Sequence, residues 1–326
     1  MTEQLKIKND GAVRVIEFYN PPQNYISHVM LRELYTQLLK DREDNSVRVL
    51  VLTGGLPDIF ILHYNVDELI ETHRANAKKR ADGTNRRLAR FLCWLIAEAH
   101  RWPWLDRMAI AIAAKRSSGE QGIYYWIRCL QILDSYPKPV IAAINGVCIG
   151  GGCEMSLCCD FRYMADGGNY RIGLPEVLVG IIPGGTGTHL RLPRIVGEAK
   201  ALEMLLAGRI YRPAEAEMMG LIHQALPPGE LMPRVMELAH KLARGAPLAQ
   251  LAIRSAVREG SRLAWPQGRV VEMAATMKAM NSEDADAGMS AYVAGIASQY
   301  EGMDLEKRLA LFDDLYWGRL IDYSGK

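Results

Sequence analysis

The sequence predicts an α/β fold followed by a helical C-terminal part, on three observations. Val140–Ile144 is a short apolar run that leads into glycines, as a strand does where it opens into a ligand loop. Val47–Leu52, apolar except for Arg48 and ended by Thr53-Gly54-Gly55, shows the same pattern earlier in the chain. Beyond about Gly220, long segments of helical spacing dominate. The expected division is an α/β core over residues 1–220, with a long insertion at about 70–120, and a helical part over 221–326.

Taken in order, residues 5–19 alternate around Asn9-Asp10-Gly11 and read as a β-hairpin, with Ala12–Phe18 as its second strand. Asn20-Pro21-Pro22 breaks the pattern. Ser27 suits the N-cap of a helix through about Lys40, with Met30, Leu31, Leu34 and Leu38 on one face. After the Val47–Leu52 strand a loop runs to Asn65, and a helix starts near Val66. In the insertion, Arg74, Lys78, Lys79, Arg80, Arg86, Arg87 and Arg90 outnumber the acids. Leu88, Phe91, Leu92 and Leu95 have the spacing of an amphipathic helix that stops at Trp102-Pro103. Lys115–Gly119 reads as a mobile loop, and a helix from about Gly122 to Ser135 leads to the Val140 strand. Helices are then expected at about 152–159, 188–195, 198–207, 213–219, 231–243, 247–259 and 267–280, with another capped at Ser282-Glu283-Asp284. Short strands are expected at 160–164 and 221–226.

Composition narrows the function classes. With 49% apolar and 23% charged residues the chain has ample material for a core. A net charge of +2 gives no reason to expect nucleic acid as the main partner. No apolar run approaches the roughly 18 residues that cross a bilayer, and the first residues lack a secretory signal's apolar stretch, so a cytoplasmic protein is expected. Four of the six cysteines (Cys93, Cys129, Cys148, Cys153, Cys158 and Cys159) crowd into residues 148–159, with no Cys-x-x-Cys pair. Reduced thiols acting as small apolar residues are expected, and no metal site.

The chemistry concentrates in Lys138–Gly187. Gly150-Gly151-Gly152 precedes a helix start, where backbone N–H groups point outward with the positive end of the helix dipole. The run reads either as a tight strand-to-helix turn or as a set of donors for an anion. No phosphate-binding glycine motif is present, so a carbonyl oxygen is the better match. Glu154 lies in the first helical turn, where the dipole stabilises a carboxylate. Glu176 follows Pro175 among apolar residues, where burial would raise its pKa and suit it to donate a proton. Two carboxylates flanking a glycine-built oxygen site form an acid/base pair beside an enolate-stabilising pocket.

Lys138–Glu154 together with Gly173–Gly187 resembles the signature of the crotonase superfamily, the enoyl-CoA hydratase/isomerase fold. Pro21–Asn24, Val51–Gly54, Ala207–Arg209, Ala214–Leu221 and Ser282–Asp284 follow in the family's order. The resemblance implies a ββα-spiral core and a helical C-terminal trimerisation part, as a homotrimer or a dimer of trimers. It implies an acyl thioester, of coenzyme A or of a carrier protein, and no separate cofactor. The thioester oxygen would sit between the backbone N–H groups of Tyr64 and Gly151. Glu154 would activate water for attack at Cβ, and Glu176 would protonate Cα. His63, Gly150 and Gly184 would contact substrate.

The matching loop departs from the family's Ala-Gly-Ala-Asp and Ile-Lys-Glu, reading Leu62-His63-Tyr64-Asn65 and Val66-Asp67-Glu68. Asp67 thus stands where a lysine commonly meets the CoA phosphates. The 70–120 segment reads as a lid or pocket wall, or as a surface or oligomer-contact helix pair. His63 reads as an extra acid/base or as a structural hydrogen-bonder, Tyr64 as a pocket wall or as packing. The expected activity is hydration of an enoyl thioester. Isomerisation, decarboxylation or C–C cleavage on the same oxygen site is the alternative, and RNA binding by the fold a remote one.

Overall fold

The computed structural model describes residues 3–81, 102–113, 115, 117–295, 303–319 and 321–325. The hairpin forms from strands β1 (Leu5–Asp10) and β2 (Val13–Phe18), paired antiparallel with Asp10 opposite Val13. Its turn is therefore Gly11-Ala12, slightly later than expected. The remaining strands are β3 (Val49–Gly54), β4 (Asp58–Ile61), β5 (Val140–Ile144), β6 (Gly146–Ile149), β7 (Phe161–Ala165), β8 (Ile172–Gly173), β9 (Ile210–Tyr211) and β10 (Gln224–Leu226).

Two sheets result, in the orders β1-β2-β3-β5-β7-β10 and β4-β6-β8-β9. Each turn of chain gives one strand to the first sheet and the next to the second: β3 then β4, β5 then β6, β7 then β8. This is the ββα spiral expected from the resemblance. All pairings of β3, β5 and β7 are parallel, which explains why Val49–Leu52 and Val140–Ile144 are fully buried on both faces. Changing sheets brings backbone close to backbone. A Cβ on Gly146 would stand 1.9 Å from Asp58 O, so only glycine fits that crossing.

The first helix, His28–Glu43, begins where expected, with the Ser27 side chain accepting from Met30 N. It buries Met30, Leu31, Leu34 and Leu38 against helix Ser118–Asp134, which contributes Trp126, Cys129, Leu130 and Leu133. That second helix starts inside the stretch expected to be a loop. Ser117 caps it by accepting from Glu120 N. Gly119 is buried against helix Val66–Ala81, where a Cβ would lie 2.0 Å from Thr72 Oγ1. The glycine marks close helix packing, which looks the same in sequence as a loop. A helix over Pro103–Ala113 was also not expected; Pro103 opens it, as proline can in a first turn. Arg74, Lys78, Lys79 and Arg80 lie on the helix that ends at Ala81. The expected amphipathic helix through Leu88 and Leu95, with Arg86, Arg87, Arg90, Cys93 and Trp94, lies outside the described residues.

Beyond β10 the described chain is helical: Pro228–Arg244, Pro247–Arg258, Trp265–Met280, Glu283–Gly295 and Leu305–Tyr316. None of the described helices is long and apolar enough to cross a membrane. Two carboxylates tie this part to the core. Asp134 accepts from Arg191 Nε at 3.0 Å, Arg258 Nη1 at 3.2 Å and Arg262 Nη1 at 2.7 Å. Asp160 accepts from Arg254 Nε at 2.8 Å and pairs with Arg258 Nη2 at 2.9 Å. Burial alone would raise the Asp134 carboxyl, but hydrogen bonding and attraction from Arg262 and Arg191 hold it well below the usual range. Removing it would leave three guanidinium groups facing each other half-buried. Asp134→Ala is expected to cost about 3 kcal/mol in urea unfolding; a change within about 0.5 kcal/mol would show that the pairs contribute nothing.

Candidate active site

The site forms where β6 leaves the second sheet. Gly150 N still donates to Gly173 O at 2.9 Å, and Gly150 then turns with φ +59°, a region that favours glycine. Helix Gly151–Cys158 begins at once. Its first N–H groups have no acceptor within the helix. The loop after β4 comes up alongside: Tyr64 N lies 3.7 Å from the place where a Gly151 Cβ would be. In that loop Ile26 N donates to His63 O and Asn65 N to Ile26 O, which turns the intervening Tyr64 N–H to the other side of the strand-like segment. Two backbone donors from separate segments therefore come together, an arrangement that can hold one oxygen.

Tyr64 and Gly151 both line a cavity of about 460 Å³. His63, Tyr64, Gly150, Gly151, Glu154, Glu176 and Gly184 all line it, so all seven candidate residues are brought to one place. The other lining residues are mostly apolar: Val66, Leu69, Ile123, Trp126, Ile149, Pro175, Leu178, Val179, Ile181 and Ile182. Such a surface suits an acyl chain.

The two carboxylates have different surroundings. Glu154 is 3% exposed. Its oxygens accept from Gly184 N at 3.2 and 3.1 Å and from Thr188 Oγ1 at 2.6 Å. Burial raises its pKa, while the Thr188 and Gly184 donors work the other way. The dipole stabilisation expected at the helix start is thus outweighed by desolvation. Glu176 opens the 3-10 turn Glu176–Val179, and its Oε2 is buried without a hydrogen-bond partner among the described residues. Burial pushes it up to about 7, with the Glu154 charge adding to the rise. Burial thus raises both carboxyls; at Glu154 two donors offset part of the rise, while Glu176 is poised near neutrality to carry a proton.

His63 Nδ1 donates to Tyr64 O at 2.7 Å, and its ring packs against Tyr25 at a tilt of 32° with centroids 4.5 Å apart. The histidine so held favours the structural alternative over an extra acid/base. The Tyr64 hydroxyl donates to Glu68 Oε2 at 3.3 Å, and its ring meets Trp126 edge-on at 6.4 Å. Tyr64 therefore forms wall with its ring while its N–H faces the site. Gly184 has a more definite role than substrate contact: its N–H holds Glu154. Thr188 and Trp126 belong to the site and were not among the candidates. Thr188 starts helix Thr188–Val196, and nothing in its sequence position shows where its hydroxyl points. Trp126 is 5% exposed, packs in the core and also lines the cavity. Among the described residues no group of three His, Cys, Asp or Glu is placed to hold a metal ion. Five cysteines, Cys129, Cys148, Cys153, Cys158 and Cys159, are free and buried.

The sequence model described as enoyl-CoA hydratase/isomerase matches residues 116–303. A crotonyl-CoA hydratase of Syntrophomonas wolfei is 36% identical over 166 residues, covering 51% of this chain and 63% of the relative. A 2,3-dehydroadipyl-CoA hydratase of Escherichia coli is 36% identical over 170 residues, covering 52% and 66%. The matches thus span just under two thirds of these curated relatives. The crystal structure of an enoyl-CoA hydratase from Bacillus anthracis superposes with a TM-score of 0.71 at 26% identity, covering 99% of this chain and all of that one. The chain belongs to the enoyl-CoA hydratase/isomerase family and has its crotonase fold.

The surroundings of Glu176 make a prediction for stability. Its folded pKa lies above the ordinary value of 4.5. Its contribution is then fully present below that ordinary value and is lost as pH rises through about 7. The neutral amide of Glu176→Gln avoids this loss. The melting temperature of the native protein should therefore fall relative to the variant between about pH 5 and about pH 8; a constant difference would mean that Glu176 titrates like an exposed carboxyl.

Proposed function

We propose that the protein hydrates an α,β-unsaturated acyl thioester and, in reverse, dehydrates the 3-hydroxyacyl product. The observation that carries this reading is that two unlike carboxylates and two converging backbone N–H groups share one apolar cavity. The thioester oxygen would accept from Tyr64 N–H and Gly151 N–H, which stabilise the negative charge that develops on it. Glu154, as carboxylate, takes a proton from water while the water oxygen bonds to Cβ. The π electrons move to the enolate, and the carboxylic acid of Glu176 delivers a proton to Cα. Water's two hydrogens are thus accounted for, and the two side chains are restored by passing one proton back through solvent. The names of the similar hydratases of Syntrophomonas wolfei and Escherichia coli support a CoA thioester as substrate.

The assembly proposed is a homotrimer or dimer of trimers. Helix Trp265–Met280 supports it, since Trp265, Val270, Met273, Met277 and Met280 stand exposed on it. Five free, buried cysteines fit a cytoplasmic location.

Hydration of a panel of enoyl-CoAs, from crotonyl-CoA upward, tests the reading. Glu154→Gln and Glu176→Gln should each lower kcat by about 10²–10⁴-fold. Because the acid must be protonated, kcat/KM for hydration should decline as pH rises through about 7, and that for dehydration should rise over the same range. Wild-type rates in both variants would overturn the two-carboxylate mechanism, and a product with a shifted double bond and no added water would make the protein an isomerase.

A further inference from the structure

Trp126 has an indole whose position is over-determined and whose N–H has no hydrogen-bond partner among the described residues. The ring lies between the two halves of the site. Its Cη2 is 3.4 Å from the place a Gly151 Cβ would occupy, and the Tyr64 ring meets it edge-on. At its other end, Nε1 is 2.7 Å from where a Gly184 Cβ would be, and Glu154 Oε1 is 3.7 Å from that same point. Only glycine at 184 lets the indole come this close, and it leaves Nε1 and Glu154 Oε1 on the same side of that residue, both in side chains that line the cavity. A water held between the two in the cavity would stand about 2.9 Å from each. A buried indole N–H normally finds an acceptor. Here none is present among the described residues, although the residue is 5% exposed and lines the cavity. Phenylalanine or leucine would wall an acyl pocket equally well without the polar atom.

We propose that the Trp126 indole N–H binds the oxygen that joins Cβ, as water before addition and as the hydroxyl afterwards. The inference rests on the hydratase reading of this cavity and deepens it. An indole can only donate. A water that accepts from Nε1 therefore spends one lone pair there and keeps the other for Cβ, while one of its hydrogens is free to point at Glu154. The carboxylate alone would hold the water by one hydrogen and leave it free to swing; the indole fixes the direction of attack. Trp126 is in this sense a catalytic residue that touches the reacting oxygen.

The test separates the N–H from the shape. Trp126→Phe and replacement of Trp126 by 3-benzothienylalanine, which keeps the bicyclic outline with sulfur in place of N–H, are compared with wild type on crotonyl-CoA. Both should lower kcat by about tenfold and leave KM within about twofold. In a Glu176→Gln background, which halts proton transfer at Cα, titration calorimetry should show 3-hydroxybutyryl-CoA bound about fivefold more weakly by each replacement. Butyryl-CoA, which has no oxygen at Cβ, should bind unchanged. If wild type hydrates crotonyl-CoA and the benzothienyl protein matches it in kcat and in both affinities, the indole is only wall and the inference falls alone. If wild type hydrates no enoyl-CoA yet binds butyryl-CoA, the hydratase reading falls and takes the inference with it. A Trp126→Phe protein that does not fold leaves the decision to the isosteric replacement.

Discussion

Glu154 is buried with both carboxylate oxygens engaged, by the backbone of Gly184 and the hydroxyl of Thr188. That one side chain joins the helix after the glycine turn, the glycine-rich loop over 183–187 and the helix that follows. An ionised carboxylate in such a place is costly unless donors surround it. The loop must therefore fold against it for the charge to be tolerated. The same contact sets Gly184 beside the indole of Trp126 and closes one side of the cavity. The contact that closes the loop is in this way also the one that holds the Glu154 carboxyl beside the cavity.

The contrast between the two carboxylates follows from how each is solvated. Glu154 gains fixed donors and remains suited to accept a proton. Glu176 gains none at Oε2, and burial moves it to about 7. Neither state depends on a special residue nearby; each follows from which backbone and side-chain donors the local turn supplies. The Asp134 and Asp160 pairs serve a separate purpose, anchoring helix Pro247–Arg258 onto the core through Arg254 and Arg258.

Much of this was legible in the sequence. Apolar runs ending in glycine gave the central parallel strands their identity, and Gly150, Gly151, Glu154 and Glu176, singled out together in the sequence, line one cavity. Where the reading failed, one residue type served two purposes. Gly119 and Pro103 looked like breaks, yet the first lets two helices touch and the second begins a helix. Trp126 carries no distinguishing signal in the sequence, because burial and cavity lining both demand an apolar body. Thr188 was invisible because a hydroxyl's partner is set by the tertiary path between residues 154 and 188. Tyr64 was noticed as a departure, but only the coordinates separate its ring, turned to Glu68 and Trp126, from its N–H, turned toward Gly151.

In the proposed mechanism Tyr64 and Gly151 form one oxygen site even though a tyrosine stands at the first position. A crystal structure with acetoacetyl-CoA bound tests it most directly. The thioester oxygen should lie about 2.9 Å from both Tyr64 N and Gly151 N, with the acyl carbons between Glu154 and Glu176. A thioester oxygen more than about 3.5 Å from either nitrogen, or an acyl group held outside the cavity walled by Tyr64 and Trp126, would contradict it.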